Sequence, residues 1–198
     1  MNLILASKSP RRSQLLQDAG LSFEVIIKDV EEIYPPTLDL QEVPAYLAKL
    51  KAAAFTPELR AEEVVITADT VVIFEDKILG KPKDKEDAYQ TLRILSGQKH
   101  EVITGVCLTT KDQQSTFSEK TIVDFYELSE RTIQHYIEKF EPFDKAGSYA
   151  IQEWIGLIGI KSIEGNYSNV LGLPVSRLLR ELEIFGFSAD MLVDLQAD

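Results

Sequence analysis

The sequence predicts an α/β fold built on a mixed β-sheet with flanking helices. Three observations carry that expectation. Val64 to Phe74 is a long β-branched, apolar run of the kind that fills a buried central strand. His100 to Thr110 and Ser115 to Glu127 flank the polar turn Lys111 to Gln114, the pattern of a long hairpin. Helix-start signals recur between these runs, so strands and helices alternate while some strands connect by hairpins, which predicts a mixed sheet rather than a purely parallel one.

Taken in order, Leu3 to Ala6 is a short buried strand, and Ser9-Pro10 opens a helix. Serine is a favoured N-cap, and proline suits the first helical position, where its missing N–H is not needed. That helix turns Leu15, Leu16 and Ala19 inward and stops at Gly20. Phe23 to Val30 is expected as a second strand, Pro35-Pro36 breaks the chain, and a helix runs from about Pro44 to Phe55. After the central strand, Glu75 to Lys77 turns towards Ile78-Leu79 and a Gly80-Lys81-Pro82 loop. Asp84 with Asp87 caps the next helix, and Ser96-Gly97 ends it. Ser129 caps a helix that Pro142 stops. Trp154 to Ile163, with a turn at Glu164-Gly165-Asn166, is expected as a last strand pair, before a terminal helix from about Leu173 to Ile184.

The 198 residues hold 21 Lys+Arg against 32 Asp+Glu, a net charge of −11. Nucleic-acid backbones and anionic membranes are bound through clustered Lys and Arg, so this balance argues against both as partners. No run approaches a membrane span, the first ten residues lack a signal-peptide pattern, and the single Cys107 fits a reducing compartment. A cytoplasmic location is the expectation. The acid is unevenly placed: Glu181 to Asp198 carries five acidic residues and no Lys or Arg, whereas the first sixteen residues hold three basic ones and no acid.

That basic exception, Ser7-Lys8-Ser9-Pro10-Arg11-Arg12, lies between a strand end and a helix start. Free backbone N–H groups and the helix dipole attract anions there, which favours a phosphate site over a plain capped surface helix. Asp69 sits inside the apolar central strand, where a carboxylate is costly unless it meets a cation, a metal or good donors. It reads as a metal ligand or general base, against the alternative of a structurally paired buried acid. The segment Glu141 to Gln152 is either a plain connection or one that sets Lys145 on a phosphate and Gln152 on a base edge, since an amide offers both donor and acceptor. There is no GxSxG elbow, Walker A loop, GxGxxG fingerprint or HExxH helix, and Cys107 reads as core. A hydrolase built on this chain would use carboxylates, cations and a metal-activated water.

Six ordered motifs together resemble one family. They are Ser7-x-Ser9-Pro10-Arg11-Arg12, Ala68-Asp69-Thr70, Gly80-Lys81-Pro82, Leu95-Ser96-Gly97, Asp144-Lys145-Ala146-Gly147-x-Tyr149-x-Ile151-Gln152 and Val170-x-Gly172-Leu173-Pro174. In order and spacing they are similar to the Maf family of nucleoside triphosphate pyrophosphatases, historically linked to septum formation. The resemblance runs from residue 3 to about 185. It implies a single elongated domain over residues 1–198, with two lobes sharing one sheet around a central cleft, similar to the inosine triphosphate pyrophosphatases. It also implies a divalent cation, Mg²⁺ or Mn²⁺, and a homodimer.

Carried over by position, the resemblance makes Asp69 the proton acceptor and assigns Arg12, Thr70 and Gln152 to substrate choice, in the combination of the branch acting on dTTP and UTP. It places Ser7, Arg11, Lys51, Lys81 and Lys145 among polar groups that hold phosphates. An acidic position falls on Glu31 or Glu32, with Asp69 and Glu31 as the expected metal ligands. The chain departs from the family pattern at Glu153-Trp154, where a glycine usually follows the glutamine. The implied reaction releases pyrophosphate and a nucleoside monophosphate. Two rivals are a phosphatase that removes the terminal phosphate and a nucleotide-binding regulator of cell division with little turnover.

Overall fold

The computed structural model describes residues 2–187. The acidic stretch noted above lies outside the described residues beyond position 187. A seven-stranded mixed sheet forms the framework, with its strands β1 (Asn2–Leu5), β2 (Phe23–Val25), β3 (Glu63–Phe74), β4 (Lys77–Leu79), β5 (Lys99–Thr109), β6 (Gln114–Phe125) and β7 (Ile160–Glu164). The order across the sheet is β2-β1-β3-β5-β6-β7, and β4 pairs separately with β3. β1 runs parallel to both β2 and β3, while β3 with β4 and β6 with β7 are antiparallel. The expected mixed sheet is therefore present.

Residue contacts group the chain into two compact units. Of the described residues, the first comprises 2–69, 104–119 and 172–187, and the second comprises 70–103 and 120–171. In the first unit, Leu3, Leu5, Leu16, Val64, Ile66, Val106, Leu108, Leu173, Leu178 and Leu182 form one apolar core. Its helices are α1 (Pro10–Asp18), α2 (Val43–Ala53) and α7 (Val175–Glu183). α1 starts as its sequence dictates: the Ser9 side chain accepts from the Arg12 N–H, Pro10 takes the first helical position, and the chain leaves through Gly20 at φ +76°.

Small side chains bring α2 close to the sheet. Ala48 and Ala52 pack on Cys107, and the Thr67 hydroxyl donates to the Ala48 carbonyl at 2.7 Å. Gly105 is tighter still, because a Cβ there would lie 2.2 Å from the backbone of Pro44 and Ala45. A strand with bulky residues at those places would push the helix, and Lys51 in its last turn, away from β3.

The second unit packs α3 (Lys85–Leu95), α4 (Glu130–Phe140), the short α5 (Trp154–Gly159) and the single-turn α6 (Tyr167–Val170) with Val72, Val102, Val123 and Phe125. Asp84 accepts from the Asp87 N–H at 2.9 Å, and Ser129 accepts from the Thr132 N–H at 3.1 Å, so both helices start at their expected caps. Buried in this core, His100 bonds the Tyr149 hydroxyl through Nε2 at 2.7 Å, and both rings lie edge-on or tilted against Phe125. The other ring nitrogen, Nδ1, is buried without a hydrogen-bond partner. Burial therefore pushes the imidazole down to about 4 from its ordinary 6.5.

Two elements differ from expectation. The second strand ends at Val25, not Val30, and Lys28 beyond it is drawn away to the Ala54 carbonyl and Glu58. Trp154 to Gly159 is helical, not a strand, and only Ile160 to Glu164 pairs with β6. The glycine spacing explains this: Gly156 closes a turn onto the Glu153 carbonyl, and a Cβ on it would lie 1.8 Å from the Ile151 oxygen. Among the described residues, no helix is long and apolar enough to cross a membrane.

Two outcomes test this packing. Gly105→Ala should cost about 3 kcal/mol or more of stability, read from urea unfolding, because the added methyl meets backbone rather than a movable side chain. His100 keeps its proton off in the fold, so its contribution is fully present above pH 6.5 and is lost as pH falls through the window from 6.5 to about 4. The wild type should lose about 3 kcal/mol across that window from this group alone. A His100→Gln variant, less stable at neutral pH, should lack that component of the slope in parallel denaturation curves.

Candidate active site

The first unit brings Asp69, Lys51, Glu32 and the start of α1 together. Asp69 lies on β3 and is only 9% exposed. The Lys51 ammonium sits 2.6 Å from Asp69 Oδ1 and 3.0 Å from Glu32 Oε1, so one cation bridges two carboxylates. Lys51 stands in the last turn of α2, where the helix dipole also favours a positive charge. The pairing lets a carboxylate persist within a strand whose neighbours are Val71, Ala68 and Ile66, all buried. Glu32 occupies this place, whereas Glu31 contributes its backbone carbonyl to the Ile33 N–H.

Arg12 is anchored as firmly. Its Nε donates to the Gly172 carbonyl at 2.8 Å, and one terminal nitrogen donates to the Ala68 carbonyl at 2.8 Å and to the Ser7 hydroxyl at 3.4 Å. Arg12 thus joins the N-terminus of α1 to the residue directly before Asp69. Loss of surrounding water lowers the guanidinium pKa, the nearby Asp69 and Glu32 charges oppose that shift, and Arg11 adds to it. The same four residues therefore share one electrostatic neighbourhood. Ser7 is buried two residues beyond β1 and also accepts from the Ser9 N–H at 3.1 Å. Lys8 points elsewhere, onto exposed Asp29 at 2.6 Å, an acidic partner distant in sequence from the basic run.

The remaining expected residues belong to the second unit. Thr70 follows Asp69 on β3 and is half-buried. Lys81 and Gln152 are exposed, and neither makes a hydrogen bond among the described residues. Lys145 is the opposite: only 7% exposed, its ammonium lies 2.7 Å from Asp144 and 3.3 Å from Glu153. Glu153 also accepts the Tyr136 hydroxyl, and the Tyr136 oxygen accepts the Ala150 N–H at 3.2 Å. Desolvation and the Glu153 carboxylate both raise the Tyr136 pKa, which keeps the phenol protonated as a donor. The sequence carries no pattern that links Tyr136, Glu153 and Lys145; the unusual Glu153 after Gln152 is the one visible sign.

Hard carboxylate oxygens suit Mg²⁺ or Mn²⁺, and Asp69 with Glu32 supplies two such groups around a single ammonium. Among the described residues, no group of three His, Cys, Asp or Glu side chains is placed to hold a metal ion. Mg²⁺ at nucleotides usually takes one or two carboxylates with phosphate oxygens and water, and Asp69 and Glu32 are donors of that kind, each paired here with the Lys51 ammonium.

Relatives of high similarity cover nearly the whole chain. The chain is 52% identical over 182 residues to a protein of Phocaeicola vulgatus named dTTP/UTP pyrophosphatase, covering 91% of this chain and 94% of that one. It is 51% identical over 176 residues to a protein of the same name from Flavobacterium psychrophilum, covering 89% and 90%. A Porphyromonas gingivalis protein of that name is 47% identical over 189 residues, covering 94% and 95%. Among solved structures, the Staphylococcus aureus Ham1 protein superposes with a TM-score of 0.55 at 17% identity, covering 92% of this chain and 98% of that one, a likeness of fold. Residues 2–185 match the family described as Maf-like protein. The chain belongs to the Maf-like protein family.

Proposed function

We propose that this protein hydrolyses dTTP and UTP to the nucleoside monophosphate and pyrophosphate, with Asp69 accepting the proton of the attacking water. The observation that supports this most is the buried Asp69 carboxylate, held on one oxygen by Lys51 and set beside Glu32, Arg12 and Arg11. The reading also draws on the shared name of relatives about half identical over nine-tenths of the chain.

In this reading Lys51 engages Oδ1 and leaves Oδ2 as the proton-accepting oxygen. Lys51 also fixes the carboxylate plane, so the base does not have to be oriented when substrate arrives. Arg12, fastened to the Ala68 and Gly172 carbonyls, holds the backbone beside Asp69 in place. Arg11, Lys81 and Lys145 are the phosphate-binding cations, and Ser7 supplies a hydroxyl. Thr70, Arg12 and Gln152 act in substrate choice, with the exposed Gln152 amide offering the donor–acceptor pair that a pyrimidine edge requires. With both Asp69 oxygens engaged, Glu32 would hold a divalent cation together with phosphate oxygens and water, and that cation would supply charge neutralisation on the phosphates and a more acidic water.

Asp69→Asn keeps the size of the side chain and removes the base. It should fold, and its rate of pyrophosphate release from dTTP with Mg²⁺ should fall about 10²–10⁴-fold. Full activity in a folded Asp69→Asn protein refutes the assignment of the base. The products decide the bond that is cut: pyrophosphate with dTMP is expected, and orthophosphate with dTDP would replace the reading by terminal phosphate removal. Binding of dTTP with no turnover under Mg²⁺ or Mn²⁺ would instead favour a regulatory nucleotide-binding role.

A further inference from the structure

Among the described residues the exposed Gln152 makes no hydrogen bond that would set its direction, yet the chain before and after it is tied down. Just before it, the Tyr149 hydroxyl is held by buried His100 at 2.7 Å, and the Ala150 N–H donates to the Tyr136 oxygen at 3.2 Å. Just after it, the Glu153 N–H donates to the Ala150 carbonyl at 3.1 Å and the Glu153 carbonyl accepts from the Gly156 N–H at 2.9 Å. The Glu153 carboxylate then reaches two ways, through Oε2 to the fully buried Tyr136 hydroxyl and through Oε1 to Lys145 at 3.3 Å. Glu153 thus touches both the lysine and the tyrosine that anchors residue 150.

Asp144 is no substitute as a clamp for Lys145. Its side chain is 64% exposed, and an exposed ion pair holds a flexible ammonium weakly. The Glu153 side chain is 22% exposed and its second oxygen is already fixed by Tyr136, so it is the better-ordered partner. Lys145 and Glu153 also sit on opposite sides of a tight passage in which Gly147 and Ser148 adopt positive φ, +71° and +60°. A backbone with such a turn needs an external tie to hold its two ends in register.

We propose that Glu153 is a positioning residue that sets the Lys145 ammonium and the Gln152 backbone in one geometry, and thereby governs triphosphate affinity and base discrimination together. The proposal rests on the reading of Lys145 and Gln152 as substrate-binding groups given above. Glu153 touches no reacting atom; it acts through the two neighbours it orients. A group with only a general structural role would change melting temperature without separating KM from kcat or one base from another.

The test compares wild type with Glu153→Gln and Tyr136→Phe. The first keeps the shape and the bond to Tyr136 but removes the charge that holds Lys145. The second keeps the ring and removes both hydroxyl contacts. Each should raise KM for dTTP about tenfold while kcat changes by less than about threefold, and each should lower the preference for dTTP over dGTP in kcat/KM. Calorimetric binding of dTTP supplies an arm that does not depend on turnover, and weaker binding by the same factor is expected there. Wild type that binds dTTP but releases no pyrophosphate overturns the proposed activity while leaving this arm to decide the role of Glu153. Unchanged dTTP affinity and unchanged base preference in folded variants overturn the role itself. Should either variant fail to fold, Glu153→Asp, which retracts the carboxylate but keeps its charge, is judged on the same two readouts.

Discussion

A single ammonium between two carboxylates is the constraint around which the first unit is arranged. Asp69 sits buried in a mostly apolar strand, and it is tolerable there because Lys51 lies 2.6 Å away. Removing one partner of such a pair typically costs about 3–5 kcal/mol, since the other charge is left buried and unpaired. The helix that delivers Lys51 must therefore lie close to the sheet. Gly105, Cys107, Ala48 and Ala52 are the small residues that allow it, and the Thr67 hydroxyl bonds the helix one turn before Lys51. Arg12 then ties α1 to the carbonyl of Ala68, so the basic N-terminal motif and the acidic strand residue are joined through backbone as well as charge. Stability and chemistry draw here on the same contacts.

The second unit solves a different problem. Its chemically expressive residues divide into exposed groups with no hydrogen bonds among the described residues, Lys81 and Gln152, and a buried lysine held between two acids. An exposed amide is useful for recognition only when its backbone is rigid, because fixing it on contact with a ligand costs entropy. The aromatic and polar packing under residues 149–153, from His100, Phe125, Tyr136 and Tyr149, supplies that rigidity. His100 does so as a neutral group, which makes the support sensitive to acid and insensitive to pH above neutrality.

Much of this was legible in the linear sequence. Local signals are physical and short in range: Ser9, Asp84 and Ser129 cap helices because their side-chain oxygens accept the first free N–H groups, and all three do so. The β-branched run predicted β3, the hairpin turn closes with the Thr110 N–H on the Gln113 carbonyl, and Asp69 stood out because a charge in such a run needs a partner. Where expectation failed, a specific backbone or side-chain contact had overridden the hydropathy pattern. The run Trp154 to Gly159 is apolar enough for a strand, but Gly156 folds it against Ile151. Phe23 to Val30 is cut short because Lys28 finds Ala54 and Glu58, which are distant in sequence.

The sequence by itself determined the alternation of elements, their caps, the mixed sheet and the isolated acid on its central strand, since each follows from residue type and neighbours within a few positions. Only the tertiary structure decided the partners. It chose Glu32 over the adjacent Glu31 for Lys51, gave Lys8 to Asp29, and joined Lys145 to Tyr136 through Glu153. The reason is geometric: adjacent residues in a loop point in different directions, and charge pairing falls off within a few ångströms of contact, so which acid meets which cation depends on distances that no spacing along the chain encodes.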